Sequence, residues 1–205
     1  MRPCGWVLVL AAATAFADGR TDVAPGVTPD GSRIVVWYVA EDGARGAANL
    51  TVLVADRTGK IIRSIPVSDA DRGDVPGGSA AADKLVAELK PVAMTQLEPK
   101  PHDDDTHLAF DGLDVSLSPT GALRVTPKGH RAIVRSNPEW RTKPSPDQAA
   151  RMQRAIDDGK IECFNPGGIG AVYLDAARRA AVVYIRFHGN DTCWEPSSDV
   201  EVFAW

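Results

Sequence analysis

The alternation of hydrophobic and polar positions predicts short strands in the first third of the chain. Ile34 to Ala40 is rich in β-branched and aromatic residues and is apolar on both alternating faces, which is typical of a strand covered on both sides. Asn49 to Asp56 and Lys60 to Val67 also have strand composition, and Arg57 to Gly59 supplies a tight turn between them. The pattern predicts a three-stranded meander.

Two later segments change to the spacing of an amphipathic helix. In the first, Ser79 is the expected N-cap and Pro91 ends the helix. Its apolar side chains recur at positions i, i+3, i+4 and i+7: Ala82, Leu85, Val86 and Leu89. The second begins with a capping box at residues 145–148 and ends at Gly159. Its expected buried face consists of Ala149, Met152 and Ile156.

The remaining segments return to strand patterns, with Pro119 to Gly121 as a three-residue hairpin loop. The predicted strands are Met94 to Leu97, Leu113 to Ser118, Ala122 to Thr126, His130 to Ser136, Ala171 to Leu174, Ala180 to Phe187 and Val200 to Trp205. We therefore expect an α+β fold, mainly antiparallel β meanders and hairpins, with two helices packed on the sheet.

The first seventeen residues have the composition of a secretory signal peptide. Arg2 precedes an apolar run from Trp6 to Ala13, and the small-residue signature Ala15-Phe16-Ala17 follows. The apolar run is shorter than the roughly 20 residues that a membrane-spanning helix needs, so we expect cleavage before Asp18.

The domain organisation follows from this cleavage and from the turn-rich composition after it. We expect a signal peptide at 1–17, a flexible N-terminal segment at 18–32 and a single β-rich domain at 33–205. A division of that domain into two sub-units joined near 137–144 stays open.

The charge balance argues against nucleic acid as a partner. The chain has 23 basic and 27 acidic residues, and removal of the signal segment takes away one basic residue, so the formal charge falls from −4 to −5. Arg178-Arg179 is the longest basic block, and the aromatic residues are not interleaved with basic ones. We expect no nucleic acid, no stable membrane insertion and no cofactor, and a protein or carbohydrate partner in the envelope or outside the cell.

The cysteines point to a disulfide. Cys4 leaves with the signal peptide, and Cys163 and Cys193 then meet an oxidising compartment. A bond between them closes a loop of about 31 residues and disfavours the unfolded chain by roughly 3–4 kcal/mol in the entropy model. The alternative, Cys163 as a nucleophile with His188 as its base, requires a free thiol of lowered pKa.

The densest cluster of ligand-type side chains is the segment 102–107, which holds two histidines and three consecutive aspartates. Divalent metals use such groups, and His102, Asp104 and His107 are the candidate ligands. Three consecutive aspartates match neither a helical HExxH motif nor the alternating acidic positions of a calcium loop. The competing interpretation is a solvated loop.

Two tryptophans in loop contexts are candidates for a recognition surface, because exposed aromatic rings often mark sugar or protein contacts. Trp140 lies in an irregular connection, and Trp194 is adjacent to Cys193. The glycine-rich segment 165–170 precedes a strand instead of opening a helix, so we interpret it as a turn and not as a phosphate loop.

Thr28 to Val35, with Leu53 to Asp56 and Gly59-Lys60 downstream, resembles one blade of the TolB-type propeller repeats. The resemblance covers about 40 residues, whereas a propeller needs at least four blades. It therefore implies only a local set of antiparallel strands.

These observations predict an exported soluble protein that serves as a non-catalytic periplasmic or extracellular binding or structural module. The alternative is a small secreted hydrolase in which a metal held by the 102–107 loop assists the reaction. The two differ in whether the ligand-type side chains converge on a pocket with His130 or His188.

Overall fold

The computed structural model describes residues 23–42, 47–69, 73–99, 104–188 and 198–205. Within these ranges all strand pairings are antiparallel, and two α-helices accompany the strands: α1 (Gly78–Leu89) and α2 (Pro146–Asp157). The fold is therefore β-rich and α+β, as expected from the sequence.

Sheet 1 is formed by the N-terminal strands and has the order β5-β4-β3-β2-β1-β6. Its strands are β1 (Gly26–Val27), β2 (Arg33–Asp42), β3 (Ala47–Asp56), β4 (Ile61–Asp69), β5 (Gly73–Asp74) and β6 (Val92–Ala93).

Two four-stranded sheets follow. Sheet 2 has the order β11-β10-β9-β8, with β8 (His107–Ala109), β9 (Leu113–Leu117), β10 (Ala122–Pro127) and β11 (Ile133–Ser136). Sheet 3 has the order β14-β13-β12-β7, with β7 (Thr95–Gln96), β12 (Gly167–Asp175), β13 (Ala180–Phe187) and β14 (Ser198–Ala204).

Sheet 3 is the middle layer of the molecule. On one face, Val183 and Ile185 of β13 join the buried cluster that contains Val115 of sheet 2. On the other face, Val182 joins the cluster that contains Ile34 of sheet 1. Because successive side chains of a strand point to opposite faces, the largely apolar sequence of β13 fits a strand buried on both sides.

The fold begins earlier in the chain than the sequence predicts. Val27 is fully buried, and β1 lies between β2 and β6 in sheet 1. The expectation of a flexible segment at 18–32 is therefore wrong for its described part, residues 23–32. Thr28 closes the turn into β2 through its hydroxyl, which accepts a hydrogen bond from the Arg33 amide at 3.0 Å, so this turn is an ordered corner of the sheet.

The first helix starts two residues before its predicted cap. Gly77, with φ +73°, is the N-cap of α1, so Ser79 lies inside the helix. Gly78 approaches sheet 1 so closely that a Cβ atom there would lie 2.4 Å from the Pro66 carbonyl oxygen. Ala82 and Leu85 belong to the third buried cluster, which contains residues of β2, β3 and β4.

The second helix has the predicted start but not the predicted burial. The Ser145 hydroxyl accepts a hydrogen bond from the Gln148 amide at 3.2 Å, and Pro146 occupies the first turn. However, α2 contains no buried residue, and Ile156 is 65% exposed. The prediction of a buried face on this helix is wrong, because periodicity shows that a face is apolar and not that another element covers it.

The connection at 137–144 contributes one residue, Trp140, to the core. It contains a short 3-10 helix at Pro138–Trp140, capped by the Asn137 side chain. Trp140 is buried with residues of sheets 2 and 3.

Candidate functional site

The described part of the acidic-histidine loop begins with Asp104, whose carboxylate is used within the loop. Its Oδ1 accepts hydrogen bonds from the Thr106 amide at 2.8 Å and from the Thr106 hydroxyl at 2.7 Å. These bonds, led by the hydroxyl, lower the pKa of Asp104. The carboxylate stabilises a tight turn that brings the chain into β8.

His107 is directed to a neighbouring strand. Its Nε2 lies 3.0 Å from Oδ2 of Asp114 on β9, and both side chains are substantially exposed. The pair joins β8 to β9 on the solvent face of sheet 2. His107 and Asp104 share a backbone bridge, in which the His107 amide donates to the Asp104 carbonyl at 3.2 Å.

Asp105 makes the contact that joins the loop to sheet 3. Its Oδ2 lies 2.6 Å from Nε2 of His188, which follows β13. Its carbonyl oxygen accepts a hydrogen bond from the Ile169 amide of β12. A Cβ atom at Gly168 would lie 2.5 Å from the Asp105 carboxylate and 2.8 Å from the His188 ring, so a larger residue there would require these two side chains to shift.

A cavity of about 200 Å³ lies beside Asp105, and we call it the loop cavity. Asp104, Asp105 and Gln96 supply its polar side chains. Gly170 also lines it, at a β-bulge where the register between β12 and β13 shifts. The loop cavity thus combines carboxylates with strand backbone at the edge of the middle sheet.

The structure brings together only part of the predicted metal set. His102 lies outside the described residues, so the triplet with Asp104 and His107 stays a prediction. Among the residues that are described, no group of three His, Cys, Asp or Glu side chains is arranged to hold a metal ion.

The recognition-surface prediction is wrong for Trp140. This residue is 2% exposed, and its indole Nε1 donates a 2.7 Å hydrogen bond to Oδ2 of Asp199 on β14. The segment 165–170 is likewise no simple turn: β12 begins at Gly167, where a Cβ atom would lie 2.6 Å from the Trp140 carbonyl oxygen. Glycine permits this close packing.

The other predicted residues near the second cysteine cannot be placed. Trp194 and Cys193 lie outside the described residues, and Cys163 is exposed on the segment between α2 and β12. The disulfide and the Trp194 surface therefore stay predictions.

An acidic cluster on β14 was not found from the sequence. Burial and the nearby charge of Asp199 raise the pKa of Glu201 to about 7, and Arg135 opposes this change. Burial, together with Asp199, also raises the pKa of Tyr38, whose hydroxyl donates to the Ser198 carbonyl at 2.9 Å. The local signal for this cluster was the alternation of polar and apolar residues along β14. Such alternation does not show that another layer covers the polar side chains.

Comparisons of the chain with family models, curated proteins and solved structures give no match. Within the described residues, no helix is both long enough and apolar enough to cross a membrane. The functional proposal therefore rests on the chain's own residues.

Proposed function

We propose that the chain is an exported, non-catalytic binding module of the periplasm or the extracellular space. The observation that carries this proposal is the pairwise use of the polar groups in the acidic-histidine loop. Asp104 binds Thr106, Asp105 binds His188 and His107 binds Asp114. The described part of the loop, residues 104–107, thus forms a rim beside the loop cavity, an arrangement suited to recognition.

The export part of the proposal is supported by the N-terminal sequence. A basic start, a short apolar run and a small-residue cleavage signature occur in the order that signal peptidase substrates have. The proposed product begins at Asp18.

A disulfide between Cys163 and Cys193 belongs to the same proposal. An oxidising compartment favours it, and Cys163 is exposed on the segment between α2 and β12. The bond would restrain the exposed segment before β12. Trp194 follows Cys193 in the sequence, and its ring is the proposed contact for a protein or carbohydrate.

The loop cavity is the proposed recognition site. Its side-chain oxygens come from Asp104, Asp105 and Gln96, and Leu97 and Leu108 supply apolar surface. A peptide or carbohydrate with hydrogen-bond donors next to an apolar face matches this combination.

A second candidate function, the secreted hydrolase, is favoured by one observation. Oδ2 of Asp105 lies 2.6 Å from Nε2 of His188, and a carboxylate that orients a neutral imidazole is the arrangement of a general base. A metal-assisted reaction would in addition need Asp104 and His107 to release their present partners.

Calorimetric titration with Zn²⁺ and with Ca²⁺ separates the two functions. We expect no saturable heat at micromolar metal for the purified protein. His130 is exposed and lies outside the loop, so His130→Ala is the control for His107→Ala. Micromolar metal binding would contradict the proposal and favour the hydrolase if His107→Ala abolishes it and His130→Ala retains it.

A further inference from the structure

We propose that a second cavity, at the opposite connections of sheets 2 and 3, binds a small organic carboxylate carried on a six-membered ring. We call it the cationic cavity. The lining residues that matter here come from the end of β10 and the turn after it, from β12 and the turn that follows it, and from the residue after β14: Pro127, Lys128, His130, Leu174, Arg179 and Trp205. The proposal does not depend on the loop cavity or on the proposed function.

The polar side chains of the cationic cavity all suit an anion. Lys128, His130 and Arg179 line it, and no carboxylate side chain does. Within the described ranges, none of the three forms an ion pair with an acidic side chain. Donors that have no acidic partner among the described side chains thus gather around one space, where Lys128 and Arg179 can make charge-assisted hydrogen bonds to a carboxylate.

An aromatic wall adds selectivity for a ring. The Trp205 indole lies 6.3 Å from the His130 ring, measured between centroids, with 56° between the planes. Leu174 and Pro127 continue the apolar surface. The main-chain oxygen of Trp205 accepts a hydrogen bond from the Arg57 guanidinium at 3.2 Å.

The backbone at Arg179 supplies independent support. Its φ is +54°, a left-handed conformation that turns normally assign to glycine or asparagine. The long cationic side chain is therefore held at a strained position on the wall of a cavity. Backbone strain of this kind clusters at functional sites.

The size of the space limits the ligand. The cavity measures about 230 Å³, below the roughly 300–1,000 Å³ of sites for drug-sized molecules. A single ring with one carboxylate fits this scale, and the two sources of that chemistry are an aromatic acid and a sugar acid. We expect a dissociation constant on the order of 1 mM for so few atoms in an open site.

The test is an NMR titration of the purified protein with benzoate, glucuronate, benzyl alcohol and inorganic phosphate, followed at the Trp205 indole N–H. We expect saturable shifts with at least one ring carboxylate, none with benzyl alcohol, and weaker binding of phosphate. The stronger of the two carboxylates identifies the source. The proposal would be overturned if neither carboxylate gives a saturable shift. It would also be overturned if benzyl alcohol or phosphate binds as tightly as both carboxylates do.

A matched pair of variants ties the binding to the cavity. Arg179→Gly should weaken the carboxylate about tenfold and, by relieving the left-handed strain, raise the melting temperature on the order of 2–4 °C. Lys90→Gly is the control, because Lys90 has φ +46° at the end of α1 and does not line the cavity. Lys90→Gly should raise the melting temperature by a similar amount and leave carboxylate binding unchanged. Unchanged carboxylate binding in Arg179→Gly would refute the assignment of the binding site to the cationic cavity.

Discussion

Replacement of Glu201 by glutamine should stabilise the protein at neutral and alkaline pH and leave its stability unchanged in acid. The pKa of Glu201 is about 7 in the folded protein, compared with an ordinary value of 4.5. Burial on β14 and the charge of Asp199 oppose ionisation. Glutamine has nearly the same size as glutamic acid and mimics its neutral form.

The sign and the pH window follow from proton linkage. Between pH 4.5 and 7 the folded state keeps the Glu201 proton while the unfolded state loses it. Stability due to this group is therefore complete below pH 4.5 and is lost as the pH rises through 7.

The magnitude is set by the pKa difference and by exposure. At 1.36 kcal/mol per pKa unit the difference corresponds to roughly 3.4 kcal/mol. The side chain is only partly buried, so screening by water reduces the expected gain at pH 8 to about 1–2 kcal/mol.

Urea denaturation at constant ionic strength, followed by circular dichroism between pH 4.5 and 8, measures the effect. Glu139→Gln is the matched control, because that glutamate is exposed, and it should not change the pH profile. Equal stabilities of Glu201→Gln and wild type at pH 8, or a gain that is already complete at pH 4.5, would refute the reasoning.

Two further predictions concern packing. Gly121→Ala should cost about 3 kcal/mol, because the left-handed φ of +84° is combined with a close approach of the new Cβ to the Asn137 carbonyl oxygen. Gly129→Ala, at φ +78° with no atom within 4 Å of the new Cβ, should cost only about 1 kcal/mol. Similar melting temperatures for these two variants would contradict the close approach. Trp140→Phe should cost about 2–3 kcal/mol in urea denaturation, because Asp199 loses a buried donor, and a loss below about 0.5 kcal/mol would show that this hydrogen bond contributes little.

The local elements of the fold could be predicted because their signals lie in short stretches of sequence. Ala180 to Phe187 was predicted with the observed bounds, since its residues are apolar on both faces and a charged turn precedes it. The cap at Ser145 was confirmed, because its hydroxyl bonds an amide three residues away.

Long-range contacts explain what could not be predicted. Trp140 was assigned to the surface because of its loop context, yet its partner Asp199 lies 59 residues away. The contact between Asp105 and His188 likewise joins distant segments, so a run of aspartates gave no sign of which carboxylate would be used. The hydrophobic periodicity of a segment does not show which sheet forms the middle layer. It also does not show that no other element packs against the apolar face of α2 within the described residues.

The intact mass of the native protein, measured with alkylation before and after reduction, tests most directly the claim that this is an exported module. We expect a chain that starts at Asp18 and whose two cysteines react only after reduction. A native chain that retains Met1 and whose thiols all react without reductant would contradict the account.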